Sequence, residues 1–135
     1  MRHGKPITLS VLIPCYNEAA TIDRTLDAVL ALGEQIAADG ITLQIVAVDD
    51  ASKDATYARL TERASSASGR MVVAKHDVNR GKGAAIQTAR DLADGDVAII
   101  QDADLEYDPS DIPAVIKPII EGHADAVVGL SLIHI

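Results

Sequence analysis

Four short aliphatic runs, ITLSVLI (7–13), TLQIVAV (42–48), MVVAK (71–75) and VAIIQ (97–101), punctuate this chain, with stretches of helical periodicity between them. A near-continuous aliphatic run has no polar face to turn to water, so a strand built from it must be covered on both sides. Such strands alternating with helices imply an α/β fold, a mostly parallel sheet flanked by helices on both faces. The first helix is expected over 20–38, where Ile22, Leu26, Val29, Leu30 and Ile36 recur at helical spacing, and Gly40 stops it. A second runs from about Asp54 to Ala67 with Ser52 or Asp54 as its cap, and a third opens from Asn79-Arg80-Gly81-Lys82-Gly83 and reaches about Ala93. Ser110 caps a fourth, to about Glu121, which Pro118 kinks or shortens, and 125–129 (DAVVG) start a fifth strand. Pro14 is expected to end the first strand. One domain over 7–129 follows from this pattern, with a short tail at 1–6 and an atypical tail at 130–135.

Composition narrows the function classes. Aromatic residues make up 2% of the 135, with no Phe and no Trp, so the core must be aliphatic. The same scarcity argues against stacking the bases of single strands. A formal net charge of −8 argues against a general nucleic-acid binder, although a divalent cation can reverse the sign locally for a phosphorylated ligand. The single cysteine, Cys15, leaves no intrachain disulfide and no zinc cluster; a reducing compartment is compatible with it. No run of 18 apolar residues offers a membrane span, and residues 7–13 read as a buried strand rather than a signal peptide.

In open parallel sheets, ligands bind at the carboxyl ends of the strands. Those ends carry Pro14-Cys15-Tyr16-Asn17-Glu18, Asp49-Asp50, His76-Asp77 and Asp102-Ala103-Asp104, an acidic rim that calls for a cation. Position separates the two Asp-x-Asp triplets. Asp94-Gly95-Asp96 precedes its strand and reads as a turn, whereas Asp102-Ala103-Asp104 follows one. In extended backbone, residues two apart share a face, so Asp102 and Asp104 can present hard oxygen ligands to one Mg²⁺ or Mn²⁺, and Glu106 continues the series. The alternative is a solvated acidic loop.

Asp50 closes the second strand, where a carboxylate can accept from a nucleobase N–H or a ribose hydroxyl; Ser52, Asp54 and Thr56 shape the turn after it. The glycines around Lys82 sit at a helix N-terminus, which favours an anion, but the segment is neither GxxxxGK[ST] nor GxGxxG. Cys15 is expected to pack rather than react. His3, His76, His123 and His134 form no ligand spacing and are read as structural or exposed.

Four segments in order, VLIPCYNEAATI (11–22), VAVDDASKDAT (46–56), NRGKGAAIQTA (79–89) and GDVAIIQDADLEYDPSDI (95–112), resemble the family 2 glycosyltransferases of GT-A fold, in particular the polyprenyl-phosphate sugar synthases of the dolichol-phosphate mannose synthase type. The resemblance implies that Pro14, Tyr16 and Glu18 line the nucleotide pocket, that Val48 and Asp50 contact the base, and that Lys82 lies near the nucleotide. It implies that Asp102-Ala103-Asp104 is the catalytic metal motif, Asp102 and Asp104 holding the ion that bridges the diphosphate, with Glu106 at a position often occupied by Gln that helps hold it. Inversion at the anomeric carbon is implied as well. So are a UDP- or GDP-sugar donor, a polyprenyl phosphate acceptor and a cytoplasmic location at the cytoplasmic face of a membrane.

One departure bears on activity. The family continues after its fifth strand with Gly-Ser-Arg, whose Arg helps bind the donor, whereas this chain reads Val128-Gly129-Leu130-Ser131-Leu132-Ile133-His134-Ile135. The fold is therefore expected to be incomplete at the C-terminus. The alternatives are a non-catalytic nucleotide-sugar-binding module and a family 2 transferase acting on a sugar hydroxyl. A dinucleotide-dependent oxidoreductase fits poorly, because the first turn, 14–18, has no glycine and bears an acid where a pyrophosphate would sit.

Overall fold

The computed structural model describes residues 7–67 and 70–103, together with the backbone of 132–134. Strands β1 (Ile7–Cys15), β2 (Ile41–Asp49), β3 (Met71–Lys75) and β4 (Val97–Ile100) alternate with helices α1 (Ile22–Ala37), α2 (Thr56–Ser66) and α3 (Lys82–Leu92). The sheet order is β3-β2-β1-β4-β5, where β5 is Leu132–His134. β1 to β4 are mutually parallel, and β5 runs antiparallel along β4 with Val97 opposite His134. The C-terminal segment read from sequence as an atypical tail thus supplies the edge strand. The expected helix 110–121 and strand 125–129 lie outside the described residues.

Aliphatic continuity did place β1 to β4, and the two faces divide by residue parity. Leu9, Val11, Ile13, Leu43 and Ile45 pack with Ile22, Leu26, Val29 and Ile36 of α1 and Leu60 of α2. Leu12, Val46, Val48 and Ala98 face the other way, onto Ala85 and Ala89 of α3. Burying a Leu, Ile or Val side chain contributes roughly 1.5–3 kcal/mol. Two stacked layers of them hold the sheet without any aromatic residue. Across the outer surface of α1 and α2, Arg59 and Arg63 reach Asp23, and Arg63 also reaches Asp27. These half-exposed pairs add little stability each but fix how the two helices lie.

Pro14 does not end β1, as its lack of an N–H had suggested; the strand continues to Cys15, paired with Asp49. Gln101 N–H donates to the Leu12 carbonyl, so even-numbered backbone groups of β1 face β4. The register with β4 ends at Leu12 opposite Ile100, and Pro14 falls just beyond it, where no ladder donor is needed.

The first acidic triplet is the turn its sequence position implied. Asp96 Oδ2 accepts from Thr8 N–H, Gly95 N–H donates to Ser10 Oγ, and Asp94 N–H donates to Gln44 Oε1. A Cβ on Gly95 would lie 2.9 Å from both Ser10 N and Thr8 O, backbone atoms that cannot step aside. Gly95→Ala is therefore expected to cost about 1–3 kcal/mol through overpacking, measured as a lower urea midpoint with unchanged slope.

Candidate functional site

The parallel register delivers the carboxyl ends of β1 to β4 to one edge, and a cleft of about 320 Å³ opens there. Pro14, Cys15, Tyr16 and Glu18 wall one side, Asp50, Asn79, Gly81, Lys82 and Ala85 another, and Asp102 and Ala103 close it. Of the residues singled out from sequence, Pro14, Tyr16, Glu18, Asp50, Lys82, Asp102 and Ala103 meet here. Val48 does not line the cleft: it is fully buried in the layer beneath α3, because its parity points it inward. Asp104 and Glu106 lie outside the described residues.

Two interlocked loops shape the first wall. Asn17 N–H donates to Ser52 Oγ, and Lys53 N–H returns to Asn17 Oδ1. Glu18 N–H donates to Thr56 Oγ1, and Ala19 N–H to Asp54 Oδ2. Ser52 thus serves the neighbouring loop, and Asp54 accepts from Thr56 N–H in the turn before α2; the N-cap is Ala55, with no side-chain cap, rather than Ser52 or Asp54 as expected from sequence. Both loops contain a left-handed residue, Asn17 at φ 53° and Ala51 at φ 63°. Asn tolerates that region, whereas a Cβ on Ala51 is strained there.

Asp50 joins the second wall together. Its Oδ1 accepts from His76 Nδ1 and from Arg80 N–H, each at 2.8 Å, and its Oδ2 accepts from Gly81 N–H at 2.8 Å. Burial works to raise this carboxyl's pKa, but the two loop amides and the imidazole outweigh it and hold the group below the usual carboxylate range. His76, which sequence spacing left as merely structural or exposed, is buried between Asp50 and Thr88 Oγ1. A carboxylate only accepts, so it fixes the proton of His76 on Nδ1. The signal for this contact was absent from sequence, since the pair is 26 residues apart and meets only through strand register.

The third wall depends on α1. Thr25 Oγ1 donates to the Ala103 carbonyl at 2.6 Å, and Thr21 Oγ1 does so at 3.0 Å. Two hydroxyls from one helix turn thereby hold the peptide that follows Asp102. Asp102 in turn pairs with Lys82 Nζ at 2.5 Å across the cleft. Cys15 lines the cleft but is no nucleophile: burial, then the nearby charges of Asp49 and Glu18, push its thiol pKa far up, and Sγ donates to the Ile13 carbonyl.

Among the described residues no three acidic, His or Cys side chains gather into a metal cage. The donor chemistry at the cleft nevertheless suits a hard cation: Asp102 is mostly buried, offers oxygens only, and already draws an ammonium to itself.

An open α/β sheet takes its ligands at the strands' carboxyl edge, where Asp102, Lys82 and the start of α3 meet, and the sheet matches the GT-A glycosyltransferases among solved structures. The chain belongs to the family described as Glycosyl transferase family 2, whose model matches residues 10–134. An undecaprenyl-phosphate 4-deoxy-4-formamido-L-arabinose transferase of Pectobacterium carotovorum is 35% identical over 115 residues, 85% of this chain and 34% of that protein. A mannosyltransferase of Pyrobaculum calidifontis, solved in complex with GDP-Man and Mn²⁺, superposes with a TM-score of 0.63 at 29% identity, over 75% of this chain and 28% of that one. S. aureus TarS 1–349, solved in complex with UDP, gives 0.62 at 25% identity, over 82% and 32%. The chain thus spans about a third of the length of the curated relatives it matches.

Two tests of the loop geometry follow. Ala51→Gly relieves the left-handed strain and is expected to stabilise the fold by about 1 kcal/mol, read from urea melts. Asp50 and Asp54 both titrate below their ordinary values; for Asp54, burial works the other way, but the Thr56 hydroxyl and amide and the Ala19 amide prevail. A depressed carboxylate contributes stability above its unfolded pKa of about 3.9 and loses it as pH falls through the folded value. The urea midpoint should therefore decline below about pH 4, less steeply in Asp54→Asn than in the wild type.

Proposed function

We propose that this chain is the donor-binding portion of a metal-dependent, inverting glycosyltransferase that moves a sugar from a nucleotide-diphosphate sugar to a polyprenyl phosphate. The observation that carries this reading is the convergence of Asp102, Lys82 and the start of α3 on one cleft within a family 2 fold. Support for the acceptor comes from the relatives, which are undecaprenyl-phosphate sugar transferases. Support for a nucleotide-sugar donor and Mn²⁺ comes from the GDP-Man and UDP complexes of the structural neighbours.

Each residue's part follows from its place. Pro14 and Tyr16 give the cleft an apolar wall for the nucleoside, and Asp50 supplies an acceptor for it. The N-terminus of α3, which has no side-chain cap, offers amides to the diphosphate, and Lys82 beside it brings a charge. Asp102 and Asp104, with Glu106, would hold Mg²⁺ or Mn²⁺. That ion, when bound, neutralises the negative charge that develops on the departing nucleoside diphosphate, an effect worth several kcal/mol. Thr21 and Thr25 keep Asp102 aimed by fixing the carbonyl behind it. A phosphate acceptor is already anionic at neutral pH, so no strong base is required of the protein. Among the described residues, no helix is long and apolar enough to cross a membrane. A lipid-linked acceptor supports work at a membrane surface, which this reading takes to be the cytoplasmic face.

Calorimetry with UDP, GDP and their sugars, with and without Mn²⁺, tests the donor site. Binding should strengthen with Mn²⁺, and Asp104→Ala should abolish that increment while leaving a folded protein. An unchanged metal dependence in the variant would remove Asp104 from the site, and no metal-dependent binding in folded wild-type chain would overturn the reading.

A further inference from the structure

Lys82 is placed where a cation is least welcome. It is the first residue of α3, whose first turn carries no acidic side chain and whose N-cap, Gly81, offers no side-chain acceptor. The amides there give the helix start a partial positive charge, so an ammonium on it needs an anion close by. Asp102 supplies one, with Nζ 2.5 Å from Oδ1. The two ends of that pair differ. The Asp102 side chain is 13% exposed, whereas that of Lys82 is 59% exposed. The fold holds the carboxylate, through the Thr21 and Thr25 hydroxyls on the Ala103 carbonyl. The ammonium, on its flexible stem, is the part that can swing. The base of the stem stays where it is: Asp50 holds the amides of Arg80 and Gly81, and Ala85 packs α3 onto the sheet one turn on.

An ammonium so placed contends with a divalent cation. Mg²⁺ sits roughly 2.0–2.1 Å from a carboxylate oxygen, inside the space that Nζ takes on Oδ1. An ion entering on Oδ2 still meets the ammonium across one carboxylate, and positive charges a few ångströms apart repel. A nucleoside diphosphate reverses the balance. It offers Lys82 and the start of α3 a stronger anion than one carboxylate. Once the ammonium moves onto it, Asp102 is left to the metal.

We propose that Lys82 is a tethered counter-ion of Asp102 that exchanges partners as nucleotide and cation arrive, so that each ligand clears the way for the other. The nucleotide draws the ammonium off Asp102, and the cation releases the ammonium to the diphosphate. Coupling of this kind is reciprocal. The inference rests on the nucleotide-sugar and metal reading above and adds how uptake of the two is linked.

Electron paramagnetic resonance of unbound Mn²⁺, on the nucleotide-free 135-residue chain, tests the contest for Asp102. Lys82→Met and Lys82→Gln should each bind Mn²⁺ about three- to tenfold more tightly than the wild type. Lys82→Arg keeps a cation on the stem and should stay within about twofold of it. Arg80→Met removes a charge two residues earlier and should change Mn²⁺ binding far less, which separates the contact from the general field. Calorimetry with UDP and GDP, with and without Mn²⁺, tests the exchange. The factor by which Mn²⁺ tightens nucleotide binding should fall at least about threefold in Lys82→Met. Unchanged or weaker Mn²⁺ binding by nucleotide-free Lys82→Met and Lys82→Gln overturns the inference, as does an equal rise in Arg80→Met or an unchanged coupling factor. The nucleotide-sugar reading survives any of these so long as Mn²⁺ strengthens UDP or GDP binding by the wild type. Absence of that Mn²⁺-dependent binding overturns both.

Discussion

One buried carboxylate holds the functional edge together. Asp50 leaves β2 with its own N–H donating to the Cys15 carbonyl, and its side chain then collects the β3–α3 connection through the amides of Arg80 and Gly81. Three chain segments far apart in sequence meet at that residue. Gly81 lies at φ 95°, a conformation open to glycine, and its amide points at Asp50 because of it. Without that anchor the start of α3 would have no fixed position, and Lys82 no defined distance from Asp102.

The edge is also an electrostatic compromise. Glu18, Asp49, Asp50 and Asp102 crowd the ends of three strands, and each is handled differently. Asp50 is stabilised as the anion by hydrogen bonds from two amides and an imidazole, and Asp102 is paired with an ammonium. Asp49 gives one oxygen to Ser52 N–H and keeps the other buried without a partner. Cys15 is held neutral chiefly by its burial, and the charges of Asp49 and Glu18 add to the same upward push on its thiol. Among the described residues, Asp102 is the carboxylate that meets Lys82 across the cleft.

Much of this was legible in the sequence, for identifiable reasons. Aliphatic continuity sets the strands because burial on both faces leaves no room for polar residues, and the carboxyl-end rule then selects Asp102 over Asp94. Boundaries moved where local chemistry was answered by tertiary context: Pro14 stays in β1 because the neighbouring ladder has already ended. Long-range side-chain contacts left no trace. Thr25 reads as one more small polar residue on α1, yet it holds the Ala103 carbonyl 78 residues away. His76 shows no motif, since its partners Asp50 and Thr88 are chosen by strand register and helix phase. Val48, adjacent to the site in sequence, has its side chain turned beneath α3 by the pleat.

The small residues of α3 carry a further consequence. Ala85 and Ala89 are the buried positions of that helix, and both press directly on the sheet beneath. Alanine keeps a helix close to its neighbour, where a leucine would hold it off. Ala85 lies one turn beyond Lys82, so the thickness of this apolar layer acts as a shim under the polar one. The gap across which a cation and a diphosphate would have to fit is gauged by two methyl groups, one of them on the cleft wall and the other behind it.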